Sequence, residues 1–328
     1  MVRFGFKSRI FFIAKKVKAR GKKILTVHLH KYFFMIPYNQ KNPFQYIFKI
    51  YKGDTFRKLI PFLALYCLYA GGVAYFELEY RHITEKSSLK NIDVMHGLLG
   101  FAISILLVFR TNTAYDKWWE GRKLWGSLIN NSRNLAMKLN AILPAHEVED
   151  RIFFRKTIPA YALALHDHLK AESTATSLFK KDIHTPESVE IDESKHIPNQ
   201  ISTSIYMRVN SLLQNKKISG EQLIFLNNEL QSFTDICGAC ERIKNTPIPF
   251  SYSTFIKKFI FIYVMTLPFG YVFNLGYFII PVVAFVFYVL VSLELIAEEI
   301  EDPFGEDDND LPTDLIAKNI KKNVEEII

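Results

Sequence analysis

Apolar and charged positions are separated into long blocks along this chain. Residues 59–76, 94–109 and 259–293 contain no lysine, arginine, aspartate or glutamate. A helix needs about 20 apolar residues to cross a bilayer core of roughly 30 Å. The first block meets this requirement with the help of its flanks. The third block is long enough for two helices, and Asn274, Gly276 and Pro281 offer the residues of a tight turn near its middle.

The second block is short for a membrane span. As a helix at about 1.5 Å per residue, residues 94–109 would extend over only about 24 Å. Such a helix must tilt, thin the bilayer, or continue as helix beyond it. The pattern therefore predicts an all-α membrane protein with four transmembrane helices, at about 57–76, 94–110, 256–273 and 277–297.

The distribution of charge sets the expected orientation. The net charge is +8, and residues 1–58 hold fifteen Lys or Arg against one acid, Asp54. Basic flanks mark the cytoplasmic side of membrane helices, whereas the loop at 77–93 has no positive excess and is placed outside. Both termini and residues 110–255 are then cytoplasmic.

No nucleic-acid partner is expected, because the basic residues accompany no recognisable reading motif. The N-terminal residues also lack the pattern of a cleavable signal peptide.

The region between the second and third spans is predicted to be helical. Two runs of residues recur there at intervals of three or four, as one helix face requires. They are Trp118, Arg122, Trp125, Ile129 and Ser132, and then Leu223, Leu226, Leu230 and Phe233, in a helix expected to end near Pro247. The polar stretch 171–200 contains two prolines and is expected to be a surface loop.

A stripe of bulky apolar residues marks the second span. Phe101, Ile105 and Phe109 are spaced by four and share one helix face. Small neighbours such as Gly97 and Gly100 would let several copies of this helix approach closely. Rings of apolar side chains around an axis can gate ions by dewetting. An ordinary membrane helix also carries such stripes, so the spacing alone leaves both interpretations open.

Other candidate chemistry is weaker. Cys237 and Cys240 have metal-site spacing but no second cysteine pair, so packing as small apolar residues is preferred. No P-loop, nucleophile elbow or HExxH motif occurs, and no enzymatic activity is expected. Apart from the basic residues at the ends of the predicted spans, His96 and Glu294 are the histidine and acidic residues that fall within them. So few of them argue against proton-coupled transport and intramembrane catalysis.

Four further histidines and one pair of oppositely charged neighbours are expected to have structural roles only. Histidines occur in two closely spaced pairs, His28 with His30 and His166 with His168. They lack partners at metal-binding spacing, so we expect exposed side chains on a helix or loop. The neighbours Glu241 and Arg242 are expected to form an ion pair with each other near the membrane boundary.

Four segments resemble, in the same order, segments of the bestrophin family of ion channels. The run from Phe109 to Arg122, FRTNTAYDKWWEGR, is similar to the signature that follows the pore helix in bacterial members. The other three are KGD at 52–54, GACERI at 238–243 with TPIP at 246–249, and EDPFGEDDND at 301–310. The resemblance covers about residues 48–325 and leaves the basic first 45 residues outside it.

This resemblance implies a homopentamer around one central pore, with a neck in the membrane and a cytoplasmic vestibule. It divides the chain into a basic cytoplasmic N-terminal segment, 1–47, and a channel domain, 48–328. The channel domain would hold a cytoplasmic helical region at about 111–255 and a cytoplasmic tail at 298–328. Phe101, Ile105 and Phe109 match the three neck rings of the family. Glu221 or Gln222 falls at its second constriction, where an apolar residue is common.

The resemblance also implies a candidate calcium site. Asp307 and Asp310 match side chains that hold calcium in animal members, and backbone oxygens of Glu299 and Asp302 match two further ligands. Calcium takes about six to eight oxygen ligands, typically carboxylates and backbone carbonyls. A solvated acidic turn that ends a helix would have the same composition, so both interpretations stay open.

The sequence thus predicts one subunit of a passive ion channel in the inner membrane of a bacterium. Its partners would be further copies of itself, membrane lipids and inorganic ions. Family resemblance indicates a chloride or anion channel, while the apolar rings themselves leave cation selectivity open. The alternative is a membrane scaffold or regulatory protein with no conductance, which a recording of reconstituted protein would distinguish.

Overall fold

The computed structural model describes residues 15–19, 22–26, 54–80, 92–170, 191–307 and 309–328. Beyond residue 53, the regular elements of the described residues are all helical, which confirms the predicted class for this part of the chain. The described helices are α1 (Asp54–Tyr75), α2 (Ile92–Ile142), α3 (Val148–Lys170), α4 (Ile197–Gln214), α5 (Gly220–Asn245), α6 (Phe250–Leu275), α7 (Ile279–Glu301) and α8 (Thr313–Ile327). A π-helical segment, Phe76–Tyr80, continues α1, and a 3-10 turn, Gly276–Phe278, joins α6 to α7.

The chain divides into two compact units, Met1–Phe34 and Met35–Ile328. In the first unit, strands β1 (Lys15–Ala19) and β2 (Lys22–Thr26) form an antiparallel hairpin. Two residues separate the strands, a common length for a hairpin connection. This hairpin departs from the all-helical expectation and lies inside the basic segment, outside the region of family resemblance.

Helix α2 shows how the short second span is accommodated. It runs without interruption over 51 residues and contains no proline. At about 1.5 Å per residue its length is roughly 75 Å, more than twice the thickness of a bilayer core. The helix therefore continues far beyond the apolar block, which is the third of the alternatives considered above.

The first part of α2 packs with α1, α6 and α7 around one apolar core, which we call the membrane core. Its buried members include Leu59, Tyr66, Ile103, Leu107, Ile260, Val264, Val283 and Phe287. Helices α6 and α7 form an antiparallel hairpin. Lys257 near the start of α6 accordingly lies 2.9 Å from Glu298 near the end of α7. Gly276 at their turn has φ of 54°, a conformation that favours glycine.

Helices of the membrane core leave most of their apolar surface uncovered. Within the described residues, three stretches are long and apolar enough to cross a membrane: Arg57–Glu79, Val94–Ile142 and Phe250–Glu301, the last of which contains α6, the turn and α7. Only 17 to 22% of the most apolar part of each stretch is buried. Lipid or further copies of the chain must cover the remainder.

A second core, which we call the distal core, is built by the rest of α2 with α3, α4, α5 and α8. Its fully buried side chains include Trp125, Leu128, Phe154, Tyr161, Phe233 and Phe304.

Helix α5 ends at Asn245, two residues before the expected end at Pro247. Residues 171–190 of the expected surface loop lie outside the described part of the chain. The last positions of that loop are helical instead, because α4 begins at Ile197 with Pro198 in its first turn.

Candidate functional site

The apolar stripe predicted on the second span lies on the uncovered face of α2. Phe101, Ile105 and Phe109 are 69%, 40% and 61% exposed. Four residues of helix correspond to about 6 Å, so the three side chains stand at successive levels of one face. The assignment of this face to the neck of a pore stays a prediction.

Packing on the opposite face fixes which way the stripe points. Ile103 and Leu107 are buried in the membrane core. Gly100 lies so close to α6 that an added β-carbon would come within 2.8 Å of the Tyr263 hydroxyl. A glycine at this position therefore allows the close approach of α2 and α6. The rotation of α2 about its axis is set by these contacts, and the stripe is left facing outward.

Directly after the stripe, Arg110 turns inward and is 1% exposed. Its guanidinium lies 2.7 Å from Glu301 and 3.5 Å from Glu294, both on α7. Lys117 approaches the same Glu301 carboxylate at 3.8 Å, and the Ile248 amide donates to it. Arg110, the first basic residue of the family signature, is therefore paired within the chain, and its charge does not lie on the exposed stripe.

The remainder of the signature holds the acidic segment that follows α7. The Trp118 indole donates to the Asn309 carbonyl at 2.9 Å. A β-carbon at Gly121 would lie 3.1 Å from the Phe304 ring and 3.2 Å from Leu311. Two motifs almost two hundred positions apart thus contact each other. Each motif is visible in the sequence, but no local pattern indicates that the two meet.

The acidic segment brings two carboxylates together at its centre. Asp310 is 7% exposed, and its Oδ2 accepts the Asp307 amide at 2.5 Å. Its Oδ1 is buried without a hydrogen-bond partner among the described residues. A β-carbon at Gly305 would meet Asp310 Oδ2 at 2.9 Å and Asp302 Oδ2 at 3.5 Å, so both carboxylates converge on this glycine.

Burial raises the pKa of Asp310 to about 7. The hydrogen bond from the Asp307 amide opposes this shift, whereas the charges of Asp307 and Asp302 add to it. A hard cation would satisfy the unpaired oxygen and neutralise the clustered charge, so the donor set fits calcium. Glu299, by contrast, uses its side chain to accept from Asn309 at 2.8 Å. The calcium assignment as a whole stays a prediction.

Glu221 and Gln222, the candidates for a second constriction, lie in the first turn of α5. Ser219 caps this helix, and Gln222 returns its side chain to the Ser219 amide at 2.9 Å. The Glu221 carboxylate accepts from the Ser219 hydroxyl at 2.6 Å and has its pKa lowered by that bond. Both side chains are therefore engaged in local capping. The exposed apolar side chain in this part of α5 is Ile224, which is 75% exposed. Whether any of these residues narrows a pore stays a prediction.

Cys237 and Cys240 are buried on α5 as free thiols of the distal core. Burial raises the pKa of the Cys237 thiol to about 12, and it also raises the pKa of Cys240. Protonated, enclosed thiols are poor nucleophiles and poor metal ligands. The geometry agrees with packing rather than with a metal site at this pair.

Two expectations for histidines and charged neighbours are wrong. His166 is buried and its Nδ1 lies 2.6 Å from the Thr313 hydroxyl, because α3 packs against α8 there. Glu241 does not pair with Arg242. Consecutive helical residues point in different directions, and Arg242 instead pairs with Glu120 of α2 at 2.9 Å. His28 and His30 lie outside the described residues.

Glu241 accepts hydrogen bonds from two histidines, one on α3 and one that caps α4. His168 and His196 each place Nε2 2.7 Å from Glu241 Oε1. These bonds lower the pKa of Glu241 although burial opposes the shift, and burial lowers the pKa of His168. His168 was expected to be exposed and without partners, and this cluster corrects that expectation.

The helices and their uncovered apolar faces are those of an integral membrane protein. Comparison with known proteins gives the family. The model of the bacterial/fungal bestrophin proteins matches residues 35–326, most of the chain. The chain therefore belongs to the bestrophin family.

Several relatives support this assignment. A voltage-dependent anion channel-forming protein of Nostoc is 36% identical over 72% of this chain and 79% of its own length. The voltage-dependent anion channel-forming protein YneE of Escherichia coli K12 is 32% identical over 83% of this chain and 87% of its own length. The crystal structure of a bacterial bestrophin homologue from Klebsiella pneumoniae, a point variant, superposes with a TM-score of 0.72 at 28% identity, covering 82% of this chain and 98% of that one.

Proposed function

We propose that this chain is one subunit of a passive anion channel, built from five copies around a central pore. The observation that carries the proposal is the uncovered apolar face of α2 at Phe101, Ile105 and Phe109. This face is directed away from the membrane core of its own chain, so it is free to line an axis between copies. Relatives named as anion channel-forming proteins, and the bestrophin fold, support the ion class and the assembly.

The proposed topology has four membrane spans. Helices α1, α6 and α7 cross once each, and α2 crosses with its N-terminal part and continues beyond the membrane. Both termini and the distal core then lie in the cytoplasm, and the membrane is the inner membrane of a bacterium. Lys257 and Lys258 at the start of α6, and Lys117 on α2, fall on the cytoplasmic side in this arrangement, as the positive-inside rule expects.

Permeation follows from the character of the neck. Apolar rings cannot replace the hydration shell of an ion, so a narrow ring opposes passage according to its width and wetting. Arg110 is paired with Glu294 and Glu301 inside its own chain and adds no uncompensated charge to the neck. The neck is then a gate that does not select by charge, and selection between anions and cations falls to other parts of the pathway.

The experiment measures assembly and current together. Purified protein in mild detergent should have a protein mass of five times 38.1 kDa by light scattering. Reconstituted into a bilayer with a chloride gradient, it should pass current that reverses near the chloride equilibrium potential. A stable monomer or dimer would contradict the pore. Assembly without conductance would favour a membrane scaffold, and reversal near the cation potential would contradict anion selectivity.

We also propose that the acidic segment binds calcium through Asp310, with Asp302, Asp307 and the backbone near Glu299 contributing oxygens. The unpaired and buried Asp310 Oδ1 is the observation that favours it. Micromolar calcium should raise the unfolding temperature of the detergent-solubilised protein relative to EDTA, and Asp307→Ala should abolish that difference. An unchanged unfolding temperature in the parent protein would contradict the proposal, and magnesium serves as the control cation.

A further inference from the structure

Three polar side chains, two from helices and one from the N-cap of a third helix, converge on the surface of the distal core. His168 lies near the end of α3, His196 immediately precedes α4, and Glu241 lies in the last two turns of α5. Both histidine Nε2 atoms are 2.7 Å from the same oxygen, Glu241 Oε1. The imidazole ring centres are 4.3 Å apart. One ligand atom from each residue lies within 4.8 Å of the other two.

This set of atoms is one that divalent transition metals bind. Two imidazole nitrogens and one carboxylate oxygen occur as the protein ligands of zinc sites that keep a fourth position for water. Zinc bonds these atoms at about 2.0–2.1 Å, which places tetrahedral ligands about 3.3 Å from one another. The two nitrogen-to-oxygen separations, now 2.7 Å, must each open by only some tenths of an ångström to admit the ion, and the two nitrogens lie within 4.8 Å of each other.

The cluster is accessible and yet well supported. The side chains of His168, His196 and Glu241 are 33%, 29% and 32% exposed, so an ion can reach them from solvent. Their helices are held by the distal core, in which Cys240 beside Glu241 is completely buried. A site on packed helices keeps its ligands in place before the ion arrives, which favours binding.

One hydrogen bond of the cluster opposes metal binding and supports an alternative role for these residues. His196 Nδ1 accepts the Asn199 amide at 3.1 Å and caps α4, so the neutral ring carries its proton on Nε2. Coordination through Nε2 moves that proton to Nδ1 and gives up the cap. The competing role of the cluster is therefore a hydrogen-bonded link between helices that binds no metal.

We propose that His168, His196 and Glu241 form a binding site for a divalent transition-metal ion of the zinc class, with water as the fourth ligand. The ion replaces the ring protons that now bridge the histidines to the carboxylate, and it links the end of α3 and the start of α4 to α5. Zinc prefers this nitrogen-rich set, whereas calcium and magnesium prefer oxygen ligands. The site is separate from the acidic segment and does not depend on conductance.

The test is a zinc titration of the full-length protein in detergent, with zinc content measured after chelator-buffered dialysis. We expect one zinc ion per chain, a raised unfolding temperature with zinc, and no such rise with magnesium. Glu241→Gln and His196→Asn should each weaken zinc binding at least tenfold. Asparagine is also a preferred capping residue, so His196→Asn keeps the α4 cap while it removes the ligand. His146→Gln, at an 80% exposed histidine, is the matched control and should bind as the parent does.

X-ray absorption of the zinc-loaded parent protein identifies the ligands directly, and it does not depend on the folding of any variant. Nitrogen and oxygen ligands at about 2.0 Å, with no sulfur shell, are expected for this site. A sulfur shell, absence of zinc from the parent protein, or equal zinc content in the His168→Asn/Glu241→Gln double variant would overturn the proposal. The last outcome would assign the cluster to helix linkage alone.

Discussion

The two ends of α2 present large side chains to opposite surroundings. In the apolar first part of α2, Phe101 and Phe109 are 69% and 61% exposed, whereas in the distal core Trp125 and Leu128 are completely buried. One continuous helix therefore serves two functions. Its distal part is a structural element of a packed domain, and its first part supplies a surface that only lipid or another subunit can cover. The same substitution should thus have different consequences at the two ends.

The largest expected effect on stability is at the distal end. Trp125→Ala removes a fully buried indole and should lower the free energy of unfolding by about 3–5 kcal/mol. Phe101→Ala, on the uncovered face, should change it by only about 0.5 kcal/mol. Thermal unfolding in detergent measures both. Equal losses at the two positions would mean that Phe101 is packed and that the two ends of α2 do not differ as described.

Arg110 lies at the junction of the two regions and should behave as a structural residue. Arg110→Gln leaves Glu294 buried without its counter-charge, and breaking a buried ion pair typically costs about 3–5 kcal/mol. Arg122→Gln, at an exposed arginine of the same helix, is the control and should be nearly neutral. Adding Glu294→Gln to Arg110→Gln should recover part of the loss, as measured by unfolding temperature. A stable Arg110→Gln protein with altered ion selectivity would instead place this charge in the pathway.

The acidic segment should give a pH dependence of the opposite sign to that of an ordinary ion-paired carboxylate. The pKa of Asp310 is raised to about 7, and Asp302, Asp307 and Lys170 are the charged groups that act on it. Its contribution to stability is therefore complete below about pH 4 and is lost as the pH rises through 7, by up to about 4 kcal/mol. In EDTA, Asp310→Asn should remove this loss and unfold at a higher temperature than the parent at pH 8.

Calcium should distinguish the parent protein from Asp310→Asn at high pH. If the ion binds, it should restore the stability of the parent protein at pH 8 but leave Asp310→Asn unaffected. A parent protein whose unfolding temperature is independent of pH between 5 and 8 in EDTA would contradict the burial of this carboxyl group.

A smaller effect is expected where α2 meets α6. Gly100→Ala places a β-carbon 2.8 Å from the Tyr263 hydroxyl. Because this hydroxyl is the end of a flexible side chain, the cost should be only about 1 kcal/mol. Tyr263→Phe removes the clashing atom and should restore the unfolding temperature in the double variant. Absence of restoration would indicate that the helix backbones are in contact there.

Much of the fold followed from the sequence, for reasons visible in these residues. Uncharged blocks and basic flanks are local properties, and they identified the apolar parts of α1, α2, α6 and α7 to within a few residues. The motif order gave the family, which the comparisons confirm. The stripe at Phe101, Ile105 and Phe109 was identified by its spacing, and its exposure agrees with a surface that faces away from the chain's own core.

What the sequence did not reveal depends on contacts between distant segments. Glu241 was assigned to its neighbour Arg242, yet its partners are His168 and His196, which packing of α3, α4 and α5 brings together. The contact between Trp118 and Asn309 likewise joins two motifs that no local pattern connects. The hairpin of the basic segment was missed because its five-residue strands, KKVKA and KKILT, are rich in lysine and carry no consistent alternation of apolar and polar residues.

Recordings of single channels in a bilayer test the central claim most directly, through a comparison of two triple variants. Phe101→Ala/Ile105→Ala/Phe109→Ala removes the stripe of α2. Phe62→Ala/Leu68→Ala/Phe285→Ala removes similar exposed apolar surface from α1 and α7 and serves as the matched control. We predict that the first variant assembles normally and conducts more, with weaker gating, because the neck is wider and less apolar, while the second conducts as the parent does. Equal conductance changes in both variants, or an unchanged conductance in the first, would contradict the assignment of this face to the pore.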